Sequence, residues 1–127
     1  MKVAAVKNDT ALAEAGGVFA GELRAELSGR GRLAAESSAA PELSAELVSL
    51  KSNPTVAGGD GAAAFRLDGQ LRVRAGAFDE LVSAGEDYLA GVDVLGTEAN
   101  RRAALRRLAR TLAREAVERW DVAERLR

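Results

Sequence analysis

Residues 62–75, AAAFRLDGQLRVRA, alternate from Phe65 onward without a break. Phe65, Leu67, Gly69, Leu71, Val73 and Ala75 share one parity, and Arg66, Asp68, Gln70, Arg72 and Arg74 share the other. A period of two marks a half-buried β-strand, with one face in a core and one in water. Such a strand needs neighbours to complete its ladder and an apolar layer to cover its dry face, which rules out an all-helical fold. The preceding stretch ELSAELVSLKSNPTVA, residues 42–57, is the natural facing arm, and the Asp60-Gly61 pair in GGDG is a strong hairpin-turn signal. Pro54 cannot donate to a ladder, so it predicts a bulge or an edge position in that arm. FDELVSAGEDYL reads as a further strand after a tight turn at Gly76.

The covering layer is written at each end of the hairpin region. Phe19, Leu23 and Leu27 fall four apart, with Leu12, Ala15 and Ala20 near the same side, which is helical spacing. Asp9 or Thr10 is placed to cap this helix, Gly16, Gly17 and Gly21 weaken its body, and Gly29 and Gly31 end it. In the second helix Leu105, Leu108, Ala109, Leu112 and Ala116 form one stripe that Trp120 extends, while Arg106, Arg107, Arg110 and Arg114 gather opposite. Thr97 is its expected N-cap, with Glu98 well placed against the helix dipole. KVAAVKN, residues 2–8, reads as an opening strand and RLAAES, residues 32–37, as a short optional one. The expectation is one α+β domain over residues 1–127, a two-layer sandwich with two helices on one face of a mostly antiparallel sheet of about four strands. The element order is β-α-(β)-β-β-β-α.

The composition narrows function mainly by exclusion. With no cysteine, disulfides, thiolate metal sites and cysteine nucleophiles are absent, and with no histidine so are the commonest general base and metal ligand. Glu86-Asp87 is the one paired-carboxylate candidate, but adjacent strand residues point to opposite faces. No catalytic residue, metal site or cofactor is expected. The net charge of −1 argues against a wholesale polyanion binder. Its distribution is uneven: residues 101–127 hold nine arginines against four acids, and residues 1–100 hold nine bases against fifteen acids. The two parts are expected to attract each other.

Two arginine groups compete as binding surfaces. The C-terminal helix is open to three readings: a solvated face laced with the i,i+4 pairs Arg114–Glu118 and Glu115–Arg119, a surface for an anionic or protein partner, or a nucleic-acid-binding helix. The first is the preferred one. On the hairpin, Arg66, Arg72 and Arg74 point the same way, and Lys51 on the facing arm is placed to join them. Guanidinium groups on a rigid sheet suit phosphate, since each binds two oxygens at once. The alternative there is an ordinary wet face, which Asp68 within the row supports.

The opening VAAVKNDTALAEAGGVFAGELRAEL, the long hairpin, and above all GEDYLAGVDVLGTEANRRAALRRLARTLAREAVERW resemble the LptE family of lipopolysaccharide-assembly lipoproteins. The likeness runs along most of the chain and is strongest over residues 85–120. It implies two helices packed on a small sheet, in a non-enzymatic protein held at the periplasmic face of the outer membrane by a lipid anchor. It also implies an LptD-type β-barrel partner that the protein plugs, and lipopolysaccharide bound through basic residues. Arg66, Arg72, Arg74 and Lys51 are the candidates offered by the strand pattern, and no nucleic-acid partner is implied. The family's signal peptide and lipidated cysteine are expected in the natural precursor. The alternative from another class is a cytosolic nucleic-acid-binding or protein-interaction module using the Arg-rich helix.

Overall fold

A computed structural model describes residues 1–35, 38–58 and 61–126. The elements run β1 (Lys2–Val3), β2 (Lys7–Asn8), α1 (Ala15–Gly29), β3 (Glu42–Gly58), β4 (Gly61–Ala75), β5 (Phe78–Leu89) and α2 (Val94–Arg125). β3, β4 and β5 form an antiparallel meander, and β1 and β2 both pair parallel to β3 at its far edge. The two helices cover one face, as expected. Gly58 pairs with Gly61 at the end of the hairpin. Of the expected turn residues, Asp60 lies outside the described residues. The optional strand over 32–37 is not formed at Arg32–Ala35, and its last two positions also lie outside them.

The predicted opening strand is broken. Lys2 pairs with Glu42 but Lys7 with Glu46, so the N-terminal segment carries one residue more than β3 does over the same interval. The extra residue forces a gap between β1 and β2. α1 also begins later than Asp9 or Thr10 would cap it. Asn8 accepts from the Thr10 backbone N–H at 3.0 Å and donates to the Leu12 carbonyl at 2.7 Å. This local turn satisfies groups that a helix would otherwise use. At its other end α1 closes as predicted: Gly31 takes φ +69°, Arg32 N–H donates to Leu27 C=O at 2.8 Å, and Gly31 N–H to Ser28 C=O at 3.0 Å. That pair of bonds is a Schellman motif, which asks for glycine at the left-handed position.

The core is the one the two periodicities predict. Phe19, Leu23 and Leu27 from α1 are fully buried with Leu43, Leu47, Leu71 and Val73 from the sheet. Leu105, Leu108, Ala109, Leu112, Ala116 and Trp120 of α2 are buried with them. Phe65 stacks on Tyr88, its cross-strand neighbour, at 5.2 Å between ring centres. Tyr88 also shares a hydrogen bond with Ser52.

α2 begins three residues before Thr97. Asp93 is the cap, accepting from Gly96 N–H at 2.8 Å, while Thr97 Oγ1 accepts from Gly91 N–H at 2.9 Å and donates to Asp93 C=O at 3.1 Å. The junction folds so tightly that a Cβ on Gly91 would sit 2.5 Å from the Gly96 carbonyl carbon and 2.6 Å from Thr97 N. Those atoms are backbone and cannot swing aside. Gly91→Val is therefore expected to destabilise the domain by about 2–3 kcal/mol, read as a lower urea midpoint. Gly17→Ala, with open space around it, is expected to hold or raise that midpoint.

Candidate ligand-binding face

The candidate face is the side of the sheet away from the helices. On β4 the even residues Arg66, Asp68, Gln70, Arg72 and Arg74 line it, while Leu67, Leu71 and Val73 are buried on the opposite side. Lys51 reaches this face because of a bulge. Leu47 pairs with Leu71 but Ser49 with Gln70, so Val48 is extra and the parity of β3 flips beyond it. Before Val48 the odd residues Leu43, Ala45 and Leu47 are buried. After it the odd residues Ser49, Lys51 and Asn53 pair with Gln70, Asp68 and Arg66. An unbulged strand would have aimed Lys51 at the helices. A second irregularity lies between Pro54 and Val56, on a part of β3 that neither β1 nor β2 covers. Both readings of Pro54 therefore hold.

All four predicted cations share the face, but they form two groups. Arg66 and Arg72 are six residues apart on one strand, about 20 Å. Near the middle of the sheet, a shallow depression of 460 Å³ is lined by Ser49, Lys51, Arg66, Asp68, Gln70 and Ser83. Gly85 makes the room: a Cβ there would lie 2.5 Å from an Arg66 guanidinium nitrogen and from Asp68 Oδ1. Arg66 lies across that gap, 3.0 Å from Asp68 and 3.5 Å from Asp87. The second depression, of 200 Å³, brings together Lys7, Glu46, Arg72 and Arg74. Arg72 grips Asp79 with two bonds of 2.7 and 2.8 Å, and Arg74 reaches the same carboxylate at 3.6 Å. Each of these arginines thus already holds a carboxylate, whereas Lys51 has no ion pair among the described residues. Lys7 and Gly85 escaped the sequence reading, because only the sheet order and the contact with Arg66 reveal their part.

Glu86 and Asp87 diverge as expected: Glu86 faces α2 and meets Arg107 at 3.4 Å, and Asp87 faces Arg66. The charge asymmetry along the chain is also realised. Arg101 pairs with Glu14, Arg110 with Glu22, and Arg119 with Glu80, each tying α2 to another element. Glu115–Arg119 forms at 2.6 Å. The expected Arg114–Glu118 pair does not form; both side chains are exposed, where holding two long side chains together gains almost nothing.

At the end of α2, Asp121 is 5% exposed and is surrounded by Arg32 at 2.8 Å, Arg125 at 3.1 Å and Arg30 at 3.6 Å. Arg32 also covers the Trp120 ring at 5.2 Å. The hydrogen bond from Arg32 holds the Asp121 carboxyl below its ordinary range, with the charges of Arg125 and Arg30 adding to it. Arg72 does the same to Asp79, and Arg101 to Glu98. A carboxylate whose pKa is lower in the folded state stabilises the fold above its unfolded pKa, near 4, and loses that contribution as pH falls through the folded value. Thermal scans are expected to show a constant Tm from pH 7 to about 5 and a fall below about 4. Asp121→Asn should lower the Tm at neutral pH and flatten the acid fall. An equally steep fall in that variant would remove Asp121 from the account.

Among the described residues, no group of three or more acidic side chains is placed to hold a metal ion, and no helix is long and apolar enough to cross a membrane. The fold is shared with solved lipoproteins. Rare lipoprotein B from Shewanella oneidensis superposes with a TM-score of 0.67 at 12% identity, covering 98% of this chain and 96% of that one. A putative lipoprotein from Caulobacter crescentus gives 0.61 at 15% identity over 94% and 92% of the two chains. A minor lipoprotein from Acinetobacter baumannii gives 0.53 at 13% identity over 93% and 92%. No curated protein sequence matches. The sequence profile of the lipopolysaccharide-assembly family LptE matches residues 1–120, and with that span of sequence and this fold the chain belongs to the LptE family, a non-enzymatic class of lipopolysaccharide-assembly lipoproteins.

Proposed function

We propose that this domain is a plug and binding component of a lipopolysaccharide translocon, seated in an LptD-type outer-membrane β-barrel and lipid-anchored at the periplasmic face. The observation that carries this reading is the family match over residues 1–120. Outer-membrane association comes with the family. The barrel partner, the periplasmic orientation and the binding residues are the finer reading. It is supported by a rigid sheet face with Lys51, Arg66, Arg72 and Arg74 along it. The depressions there are shallow, which suits gripping phosphate-bearing headgroups at a surface more than enclosing a small substrate. Anion binding at this face would proceed by exchange: phosphate oxygens replace Asp68, Asp79 and Asp87 on the guanidinium groups while Lys51 supplies an unpaired charge. No bond is made or broken in that work.

The test is to express the natural gene with a tag, extract outer membranes in mild detergent and identify what co-purifies. One large β-barrel in near-equal amount is the expected result. A soluble, unlipidated product with no barrel would overturn the reading.

A further inference from the structure

The arginines of the sheet face are engaged, but most of a row on the helical layer is not. In α2 the buried residues follow two lines of i+4 spacing, Leu105–Ala109–Ala113–Val117–Asp121 and Ala104–Leu108–Leu112–Ala116–Trp120. Parallel to them run Arg102, Arg106, Arg110 and Arg114, all exposed. Successive members stand ~6 Å apart along the axis. Arg106 and Arg114 make no hydrogen bond or ion pair among the described residues. Arg102 acts on Glu98 only through its charge, and Arg110 makes one long contact, 3.9 Å to Glu22. The adjoining crest of α1 does not shield the row, since Gly17, Gly21 and Ala25 are exposed there.

Position on the helix explains why this row stays open. The line on one side of it faces α1, where Arg101 meets Glu14. The line on the other side faces β5, where Arg107 meets Glu86 and Arg119 meets Glu80. Arginines on both flanking lines are thus used to fasten α2 to the fold. On the crest between them only Arg110 makes such a contact, the long one to Glu22, although five donors in a planar fork are built for paired oxygens.

The geometry points to the crest Arg102–Arg106–Arg110–Arg114 as a docking surface for an acidic protein wall whose carboxylates are spaced to meet it. Charge complementarity selects this partner. A long uniform polyanion would also feel Glu14, Glu22, Glu98 and Glu118, which border the row. Discrete carboxylates on a folded surface can sit over the guanidinium groups and avoid those acids. The inference rests on the reading that the domain sits inside a barrel, whose inner wall is the surface that would supply the carboxylates.

The experiment uses the full-length tagged protein and compares wild type with R102E/R106E/R114E, R102Q/R106Q/R114Q and R102K/R106K/R114K in the same co-purification. The barrel recovered with the Glu variant is expected to fall about tenfold or more, with an intermediate fall for Gln and near-normal recovery for Lys. Thermal unfolding should be nearly unchanged in all three, because among the described residues these side chains make no hydrogen bond or ion pair and only Arg102 acts on a neighbour, Glu98, through its charge. Recovery unaffected in the Glu variant, while wild type brings down the barrel, would overturn the inference and leave the plug reading intact. Absence of the barrel from wild type would remove the plug reading itself. Loss of retention on heparin with barrel recovery unchanged would assign the crest to a polyanion and also overturn the inference.

Discussion

Leu108→Ala is expected to cost about 3–4 kcal/mol of stability and lower the Tm by roughly 10 °C or more. Leu108 is fully buried, and its Cδ2 lies 2.9 Å from where a Cβ on Gly69 would be. The side chain therefore fills a dimple that the glycine leaves in the dry face of β4, and Leu112 closes in from the next turn at 3.4 Å. Truncation leaves a cavity with glycine beneath it, so nothing from the strand can move in. Adding Gly69→Ala to Leu108→Ala should recover part of the loss, since the new methyl occupies space just vacated. A loss under about 1 kcal/mol for the single variant would mean that α2 does not seat on β4 in this register.

Charge reversal of the sheet face is expected to have the largest functional effect. In K51E/R66E/R72E/R74E, retention of lipopolysaccharide should fall on the order of 100-fold, equivalent to about 2.7 kcal/mol. The exchange described above gives a second expectation of opposite sign. Asp79 occupies both Arg72 and Arg74, so Asp79→Asn removes the competitor and should tighten anion binding. A change only in the reversal variant would leave general electrostatics as the explanation. Both changes in the stated directions would place phosphate on these guanidinium groups. Unchanged retention in either variant would count against this face.

The strict alternation from Phe65 to Ala75 made the hairpin and its buried side legible, because side-chain direction in a strand is fixed by parity alone. The i+4 spacing of Phe19, Leu23 and Leu27, and the leucine stripe of α2, located both helices for the same kind of reason. What stayed hidden depends on counting across strands. The extra Val48 puts Lys51 on the wet face, yet it resembles any other valine until its pairing with β4 is known. The surplus residue between β1 and β2 was invisible for the same reason. Helix starts are set by local turns at Asn8 and at Asp93, which the sequence does not single out, since several nearby Asp, Asn and Thr residues compete to cap.

The arginines show the limit for function. Their number and spacing on β4 and α2 are plain in the sequence, but whether each is engaged is a three-dimensional fact. Arg72 and Arg74 converge on Asp79 across a strand pair, while Arg106 and Arg114 are exposed and make no ion pair among the described residues. A polar face that is already neutralised and one that is open read alike as a string of letters.

A role in lipopolysaccharide transport is tested by delivery in cells depleted of this protein, scored by labelling the polysaccharide exposed on the cell surface. Surface labelling is expected to fall as the protein is lost, lipopolysaccharide to accumulate inside the envelope, and the wild-type gene to restore delivery. Surface labelling that stays at its normal level through complete depletion would contradict that role.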